Sequence, residues 1–165
     1  MIESREVKFF DKAYDRHDFN CGHEDLNRYL KQQVSQDIKR KLAVVYVLLQ
    51  GNNIIAFYTL SASAVYIGDL TEIIAKKLPK YPLVPVTLLG RLAIDKPYQG
   101  QGLGDFLLMD ALYRCKVSAE QIASLAVIVD AIDNKAEAFY QRYGFEFLKN
   151  RQLFLPMQKV DELFS

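Results

Sequence analysis

The chain has 165 residues, half of them hydrophobic and a quarter charged, with a formal net charge of +1 at pH 7. This composition excludes a disordered, collagen-like or disulfide-dense protein, and the length suits one globular domain over residues 1–165. Because the net charge is so small, the chain as a whole has no strong electrostatic attraction to nucleic acid.

The sequence predicts neither a membrane span nor a secretion signal. No apolar run approaches the ~20 residues that cross a bilayer, and residues 1–6 are charged rather than apolar. We therefore expect a cytoplasmic protein with no membrane partner. Cys21 and Cys115 lie far apart and are expected to be free, buried thiols. His17 and His23 could join Cys21 at a metal, but no fourth ligand is evident, so we expect no metal.

Apolar residues in the first half recur at strand spacing, then at helical spacing, and then in two β-branched runs. Gly51, Asn52 and Asn53 mark a hairpin turn between those two runs. The predicted elements are a strand at Val7–Asp11, a helix over about 23–40 with a break near Ser35, strands at Leu42–Leu49 and Ile54–Val65, and a short helix at Asp69–Leu78.

In the second half, Pro79, Pro82 and Pro85 predict a stiff connection. Strands then alternate with helices, which favours a mixed sheet flanked by helices and therefore an α/β or α+β fold. The predicted elements are strands at 86–95 and 124–131, helices from Leu103 to about Cys115 and over Asn134–Tyr143, and an antiparallel pair at Phe145–Leu148 and Gln152–Leu155.

The most informative segment joins the predicted strand at 86–95 to the helix after it. Following a turn with Pro97, glycines occupy every second position at Gly100, Gly102 and Gly104. Glycines let backbone N–H groups point at an anion, and a helix N-terminus adds unpaired N–H groups and a positive dipole. The spacing fits neither a P-loop nor a G-x-G-x-x-G fingerprint, so the sequence predicts a phosphate site of another kind.

A second informative segment lies about thirty residues further on and predicts a helix. Asp133 is placed to cap it, and Gly144 suits the left-handed position that ends a helix. Between them, Ala136, Phe139 and Tyr140 share one face at helical spacing.

Together these segments resemble the GNAT superfamily of N-acetyltransferases. Gln99–Gly104 is similar to that family's acetyl-CoA pyrophosphate loop, Gln/Arg-x-x-Gly-x-Gly/Ala, and Leu92–Asp95 with the Pro-Tyr turn after it is similar to its fourth strand. Residues 133–145 resemble its N-x-x-A-x-x-F-Y-x-x-x-G-F segment. The resemblance implies the GNAT fold: a mixed, mostly antiparallel sheet flanked by helices, whose central parallel strands splay apart around acetyl-CoA.

The resemblance also implies a role for each matched residue. Tyr140 would stand near the CoA sulfur as general acid, whereas Tyr143, one helical turn away, is expected to pack in the core. Backbone groups of Leu92 and Ile94 would hold the pantetheine arm, and Asn134 would bond it. The residues implied to bind the cofactor are Leu92, Ala93, Ile94, Gln99, Gly100, Gln101, Gly102, Leu103, Gly104, Asp105 and Asn134.

The reaction explains why these groups are needed. When an amine attacks the thioester, a backbone N–H can stabilise the oxyanion, and a phenol with a pKa of about 10 can protonate the departing sulfur. No carboxylate stands in the middle of the strand at 86–95, which favours an α-amine, with a pKa of about 8, because it needs less help from a base. Asp130 is the remaining candidate base; its alternative role is a strand-end carboxylate or a helix-cap partner.

Short matches along most of the chain are similar to the GNAT toxins of bacterial toxin–antitoxin pairs, which acetylate the α-amine of the amino acid on charged tRNA. This resemblance implies a charged-tRNA substrate, a small antitoxin protein as partner, and a homodimer. Arg91, part of the pattern, could contact RNA phosphate, hold the cofactor, or form an ion pair near the strand. The matching segments are Phe19–Gly22, Leu26–Leu30, Ala43–Val47, Ile55–Ser61 and Leu89–Asp95.

Two other functions fit the same motifs. A GNAT enzyme could use a small amine, a peptide or a protein N-terminus as acceptor, or the chain could be a non-catalytic acyl-CoA-binding module. The basic stretches at 28–41 and 76–80 are either solvated helix faces or a local footprint for an anionic partner such as RNA or an acidic protein.

Overall fold

The computed structural model describes residues 6–70, 72–76 and 82–165. Within them the chain forms seven strands: β1 (Lys8–Phe9), β2 (Val44–Gln50), β3 (Asn53–Tyr66), β4 (Leu83–Ile94), β5 (Ala126–Asp130), β6 (Glu146–Lys149) and β7 (Gln152–Pro156). The sheet has the order β1-β2-β3-β4-β5-β7-β6. The β4–β5 pair is parallel, and the β1–β2, β2–β3, β5–β7 and β6–β7 pairs are antiparallel. This arrangement confirms the predicted mixed, mostly antiparallel sheet.

The helices in these residues are α1 (Glu24–Arg28), α2 (Val34–Lys39), α3 (Glu72–Lys76), α4 (Leu103–Ala119), α5 (Asn134–Gln141) and α6 (Met157–Leu163). A π-helical turn, Tyr29–Gln33, joins α1 to α2, and 3₁₀ turns occupy Ile67–Asp69 and Lys96–Tyr98. The helix predicted over 23–40 is therefore present, but its irregularity lies in the π turn and not at Ser35.

Two features of the second half differ from the prediction. The pattern missed α6, which is only seven residues long and directly follows β7. The short helix predicted at Asp69–Leu78 is a 3₁₀ turn followed by α3 as far as Lys76. The rest of that prediction lies outside the described residues, as do Lys77, Pro79 and Lys80.

The chain divides into two compact units. Unit 1 comprises Met1–Ser61 and Arg91–Ala111, and unit 2 comprises Ala62–Gly90 and Leu112–Ser165. Each unit has a hydrophobic cluster of its own.

Unit 1 contains the predicted β2–β3 hairpin. Gly51 at its turn has φ +61°, a left-handed conformation that suits a residue without Cβ. Residues 54–59 of β3 are buried, so side chains on both of its faces are covered, which explains an apolar run without alternation. Phe57 on this strand contacts the rings of Phe19 and Tyr29, with centroids 5.6 Å and 6.3 Å away.

Unit 2 is built around β5 and its neighbours. Residues 126–129 of β5 are buried, and Val127 and Val129 pair with Leu155 and Leu153 of β7. The chain then turns into α6, where the N–H of Met157 donates to the carbonyl of Leu125 at 2.8 Å.

The parallel ladder of unit 2 is short. Thr87, Leu88 and Leu89 of β4 pair with Val127, Ile128 and Val129 of β5. The strands predicted at 86–95 and 124–131 are therefore parallel neighbours, and β4 continues beyond the ladder to Ile94.

Cys21 and Cys115 are free and buried, as predicted. Burial raises the pKa of Cys115 from its usual 9.0 to about 12. In the described ranges, no helix combines the length and the apolar character that crossing a bilayer requires.

Replacing Cys115 by alanine should flatten the loss of stability at alkaline pH. Above its usual pKa the thiol ionises in the unfolded chain, whereas in the folded chain it stays protonated until about pH 12. Its contribution to stability is therefore complete below pH 9.0 and declines above it by about 1.4 kcal/mol per pH unit. Urea unfolding of both proteins between about pH 8 and pH 11 measures the two slopes, and equal slopes would contradict the buried, protonated thiol.

Candidate functional site

The glycine loop of unit 1 opens the N-terminus of α4. Gly100 and Gly102 have φ +76° and +79°, and a Cβ built on either would meet no atom within 4 Å. Their left-handed backbone, rather than crowding, is what requires glycine here.

The first turn of α4 supplies backbone N–H groups that its own hydrogen bonds cannot satisfy. The N–H of Phe106 donates to the carbonyl of Gly102 at 3.1 Å. The N–H groups of Leu103 and Gly104 precede this bond, so they have no carbonyl one turn earlier in the helix. Together with the positive end of the helix dipole they form a site for an anion.

Gln99 shapes this loop with its side chain. Its backbone N–H donates to the carbonyl of Lys96 at 3.2 Å and is therefore already engaged in the 3₁₀ turn. Its side-chain Nε2 donates to the carbonyls of Ile94 and Cys21, at 2.8 Å and 2.9 Å. Gln101 makes a similar contact, with Nε2 3.3 Å from the carbonyl oxygen of Pro97.

An N-terminal loop of unit 1 supports the same turn. Asn20 donates its N–H to the Asp95 carboxylate and accepts the N–H of Lys96, both at 2.9 Å. The side chain of Asn27, which is 4% exposed, donates to the Asn20 side-chain oxygen and accepts the N–H of Cys21. Sequence reasoning assigned no role to Asn20 and Asn27, although an amide on the buried face of a helix was a signal that it has a polar partner.

The end of β4 leads into this loop. Ala93 is buried in the core of unit 1, whereas Leu92 and Ile94 are half-buried. The N–H of Asp95, the next residue, donates to the carbonyl of Ile55 at 2.8 Å. Arg91 is also half-buried, and its guanidinium carbon lies 3.5 Å from the ring centroid of Tyr29.

Unit 2 carries Tyr140, the predicted general acid, on α5. The residue is 7% exposed, and its ring contacts those of Phe139 and Phe145. Burial, and secondarily the charge of Asp130, raise the pKa of Tyr140 well above its usual range. Within the described part of the chain, no group accepts a hydrogen bond from its hydroxyl. Tyr140 therefore presents a protonated phenol that can donate to a ligand.

The start of α5 is organised as predicted. The carboxylate of Asp133 accepts the N–H of Ala136 at 2.8 Å and caps the helix, and Gly144 beyond its end has φ +95°. The side-chain oxygen of Asn134 accepts a hydrogen bond from Arg151 at 3.2 Å, and Arg151 also pairs with Glu137 at 2.8 Å.

Asp130 stands at the exposed end of β5, and its carboxylate accepts a hydrogen bond from Gln152 at 3.2 Å. Sequence reasoning did not find the contacts of Arg151 and Gln152, because both depend on strand pairing far along the chain. His17, His23 and Cys21, considered above as metal ligands, do not form a metal site. Among the described residues, no three His, Cys, Asp or Glu side chains lie close enough together to hold a metal.

Comparison with known proteins places the chain among acetyltransferases. Residues 86–160 match the family model described as an acetyltransferase (GNAT) domain. A tRNA-acetylating toxin from Mycobacterium tuberculosis is 32% identical over 87% of this chain and 85% of its own length. A probable toxin TacT from Sinorhizobium fredii is 28% identical over 92% of this chain and 90% of its own.

Solved structures agree with these relatives over almost the whole chain. A tyrosine-to-phenylalanine mutant of KacT superposes with a TM-score of 0.92, 32% identity, and 96% and 98% coverage of this chain and its own. AtaT complexed with acetyl-methionyl-tRNAfMet superposes with a TM-score of 0.90 and 30% identity, over 97% of this chain and 99% of its own. An AtaT tyrosine-to-phenylalanine mutant was solved bound to the C-terminus of the antitoxin AtaR and to acetyl-CoA. It superposes with a TM-score of 0.83 and 27% identity, over 97% of this chain and 98% of its own.

Substituting Gly102 by alanine should weaken binding of acetyl-CoA. A Cβ at φ +79° strains the backbone by about 1 kcal/mol or more, and relaxation of that strain turns the loop N–H groups away from an anion. Calorimetry should show a dissociation constant for CoA raised about tenfold or more.

Gly51→Ala is the matched control for Gly102→Ala. Gly51 has φ +61° and equally open surroundings, but it lies in the hairpin turn. Its substitution should lower the melting temperature to a similar extent and leave CoA binding unchanged. Equal loss of affinity in both variants, or in neither, would remove the loop from cofactor binding.

Proposed function

The chain belongs to the GNAT acetyltransferases, and on that premise we propose that it transfers the acetyl group of acetyl-CoA to the α-amine of an amino acid carried by tRNA. In the cell this would block translation, as a toxin of a toxin–antitoxin pair does. The relatives named for tRNA acetylation and toxin activity support this proposal over most of the chain, and so does the neighbour solved with an acetylated aminoacyl-tRNA.

One observation in the structure carries the acetyl-CoA part of the proposal: Gly100 and Gly102, both left-handed, lead into the N-terminus of α4. The loop N–H groups from Gly100 to Asp105 would hold the pyrophosphate, and Gln99 would fix the loop through its side chain. Backbone groups of Leu92 and Ile94, on either side of buried Ala93, would hold the pantetheine arm. Asn134 would bond the arm through its amide nitrogen, because its oxygen already accepts from Arg151.

The transfer step then needs one proton donor. The lone pair of the amine forms the new C–N bond, the thioester carbonyl becomes an oxyanion, and its collapse breaks the C–S bond. Tyr140 would give its phenolic proton to the departing sulfur, which leaves as the thiol of CoA. The nitrogen loses one proton as it becomes an amide, and this proton would restore the phenol of Tyr140 through solvent. Because its pKa is raised, the phenol is fully protonated at neutral pH, whereas Tyr143 would only pack beside Phe139, with ring centroids 5.7 Å apart.

An α-amine of an aminoacyl ester has a pKa of about 8 or below, so about a tenth of it or more is neutral at pH 7. It therefore needs less help from a base than an amine with a pKa of about 10. Asp130 is proposed to act on Tyr140 through its charge and not on the amine, since it is exposed and already bonded to Gln152. If so, the rate catalysed by Asp130→Asn should still fall at low pH as it does in the wild type, because that fall reflects protonation of the acceptor amine. Loss of this fall in the variant would make Asp130 the base.

The deciding assay incubates the protein with labelled acetyl-CoA and bulk charged tRNA. The expected product is label on the aminoacyl moiety, released when the ester bond to tRNA is hydrolysed. Label on peptides or small amines instead would favour the alternative acceptors. No transfer to any amine, with intact CoA binding, would favour a non-catalytic module.

Tyr140→Phe should lower turnover in this assay by about 10²–10⁴-fold, because a general acid contributes about that much. Affinity for acetyl-CoA should stay unchanged, and so should stability, since no described group accepts from the hydroxyl. Tyr143→Phe is the matched control and should keep most of the activity. Wild-type turnover in Tyr140→Phe would remove Tyr140 from the mechanism.

The proposal includes two protein partners and a location. The neighbour bound to the C-terminus of AtaR supports a small antitoxin as partner, and the resemblance to the toxins implies a homodimer. The cytoplasmic location is the one expected from the sequence. Light scattering on the purified protein should give twice the chain mass, and expression should arrest growth unless the adjacent reading frame is co-expressed. A monomeric mass, or growth without arrest, would contradict the respective part.

A further inference from the structure

Arg91 is held against an aromatic face and has no acidic partner in the described residues. Its guanidinium carbon lies 3.5 Å from the ring centroid of Tyr29, a close cation–π stack. The residue is half-buried, and within the described ranges its N–H groups make no hydrogen bond or ion pair. Because no described group uses them, the in-plane N–H donors of this guanidinium are available to a ligand.

Tyr29 is itself fixed by a buried carboxylate. Its hydroxyl donates to Oδ2 of Asp37 at 2.8 Å, and the two residues are only 5% and 9% exposed. The ring of Phe57 lies nearly parallel to that of Tyr29 and also contacts it. Burial and the bond to Asp37 raise the pKa of Tyr29 to about 12, so the hydroxyl remains a donor at any physiological pH.

The helical segment that carries Tyr29 and Asp37 departs from regular α-helical geometry between the two residues. Tyr29 begins the π-helical turn Tyr29–Gln33, and Asp37 lies in the helix after it. In an unbroken α-helix, residues eight apart point about 80° away from each other. The wider turn changes this register, and π turns inside α-helices are frequent at functional sites.

The carboxylate of Asp37 is thus bonded to the phenol of Tyr29, and the cation of Arg91 stacks on the ring with no ion-pair partner among the described residues. A hydroxyl that donates to a carboxylate makes the ring more electron-rich, which strengthens its attraction for a cation. The pair therefore holds the guanidinium in place without neutralising its donors, as a binding group for a planar or tetrahedral anion requires.

We propose that Tyr29 and Asp37 are positioning residues that hold Arg91 as a phosphate-binding group of the acetyl-transfer site. This inference rests on the proposed function, since the phosphate belongs to one of its two reactants, the tRNA or coenzyme A. The kinetic constants for the two reactants distinguish these sources.

The test measures kcat and KM for charged tRNA and for acetyl-CoA in Arg91→Ala, Tyr29→Leu and the double variant. Tyr29→Leu removes the ring on which Arg91 stacks. It should raise KM for one reactant by about threefold to thirtyfold and change kcat by less than about twofold. The double variant should be no worse than Arg91→Ala, because the ring acts through the arginine. Arg91→Lys should not restore KM, since an ammonium cannot stack on the ring or form a bidentate hydrogen bond as a guanidinium does.

Tyr58→Phe is the matched control, because it removes a tyrosine hydroxyl that donates to a different carboxylate, that of Asp110. Its KM values should equal those of the wild type. If Tyr29→Leu does not fold, Tyr29→Phe decides: it keeps the ring, loses the bond to Asp37, and should raise the same KM about threefold. Unchanged KM values in the Tyr29 variants, or additive effects in the double variant, would overturn the proposal.

Direct binding separates this inference from the proposed function. If the wild type fails to acetylate charged tRNA, the proposed function fails. The role of Arg91 is then judged by dissociation constants for CoA and for bulk tRNA. One of the two should be weakened equally in Arg91→Ala and Tyr29→Leu, and if neither constant changes the inference is wrong as well.

Discussion

The proposed cofactor site depends on a short run of backbone N–H groups that secondary structure leaves unsatisfied. Two left-handed glycines, Gly100 and Gly102, bring the chain into α4 so that the first turn of the helix is open to an anion. The surrounding contacts keep this loop in place: Gln99 ties it to two carbonyls, and Asn20 holds the turn before it from both sides.

Binding by main-chain groups, as proposed, would leave the side chains to determine chemistry and choice of acceptor. Tyr140 supplies a phenol that burial keeps protonated. A donor of this kind suits an acceptor amine that is partly neutral at pH 7, so the scarcity of carboxylates near β4 is consistent with an aminoacyl ester. Arg91, Tyr29 and Asp37 would add recognition of phosphate by a cation that is oriented but not neutralised. A local group of this kind is compatible with a nearly neutral chain, because it needs no strong overall field.

How much the sequence predicted depends on how local each feature is. The hairpin at Gly51, the cap of α5 by Asp133 and the glycine loop all follow from residue types within a few positions, and the structure has them where the pattern indicates. The β4–β5 neighbours were predicted through the family resemblance. By contrast, the bond between Tyr29 and Asp37 depends on a π turn that no propensity signals.

The contacts of Arg151 with Asn134 and of Gln152 with Asp130 arise only when distant strands pair. The side-chain role of Gln99 was missed for a similar reason, since one of its carbonyl partners, that of Cys21, is 78 residues away. In each case the residue type was compatible with several partners, and the three-dimensional pairing selected one.

Calorimetry with three related ligands tests the central claim most directly. CoA and dephospho-CoA both contain the diphosphate, whereas pantetheine retains the thiol arm and lacks it. If loop amides hold the diphosphate, the first two should bind with dissociation constants within about tenfold of each other, and pantetheine should bind about a hundredfold more weakly or worse. Pantetheine binding as tightly as CoA would contradict the account, because the affinity would then come from the arm and not from the loop.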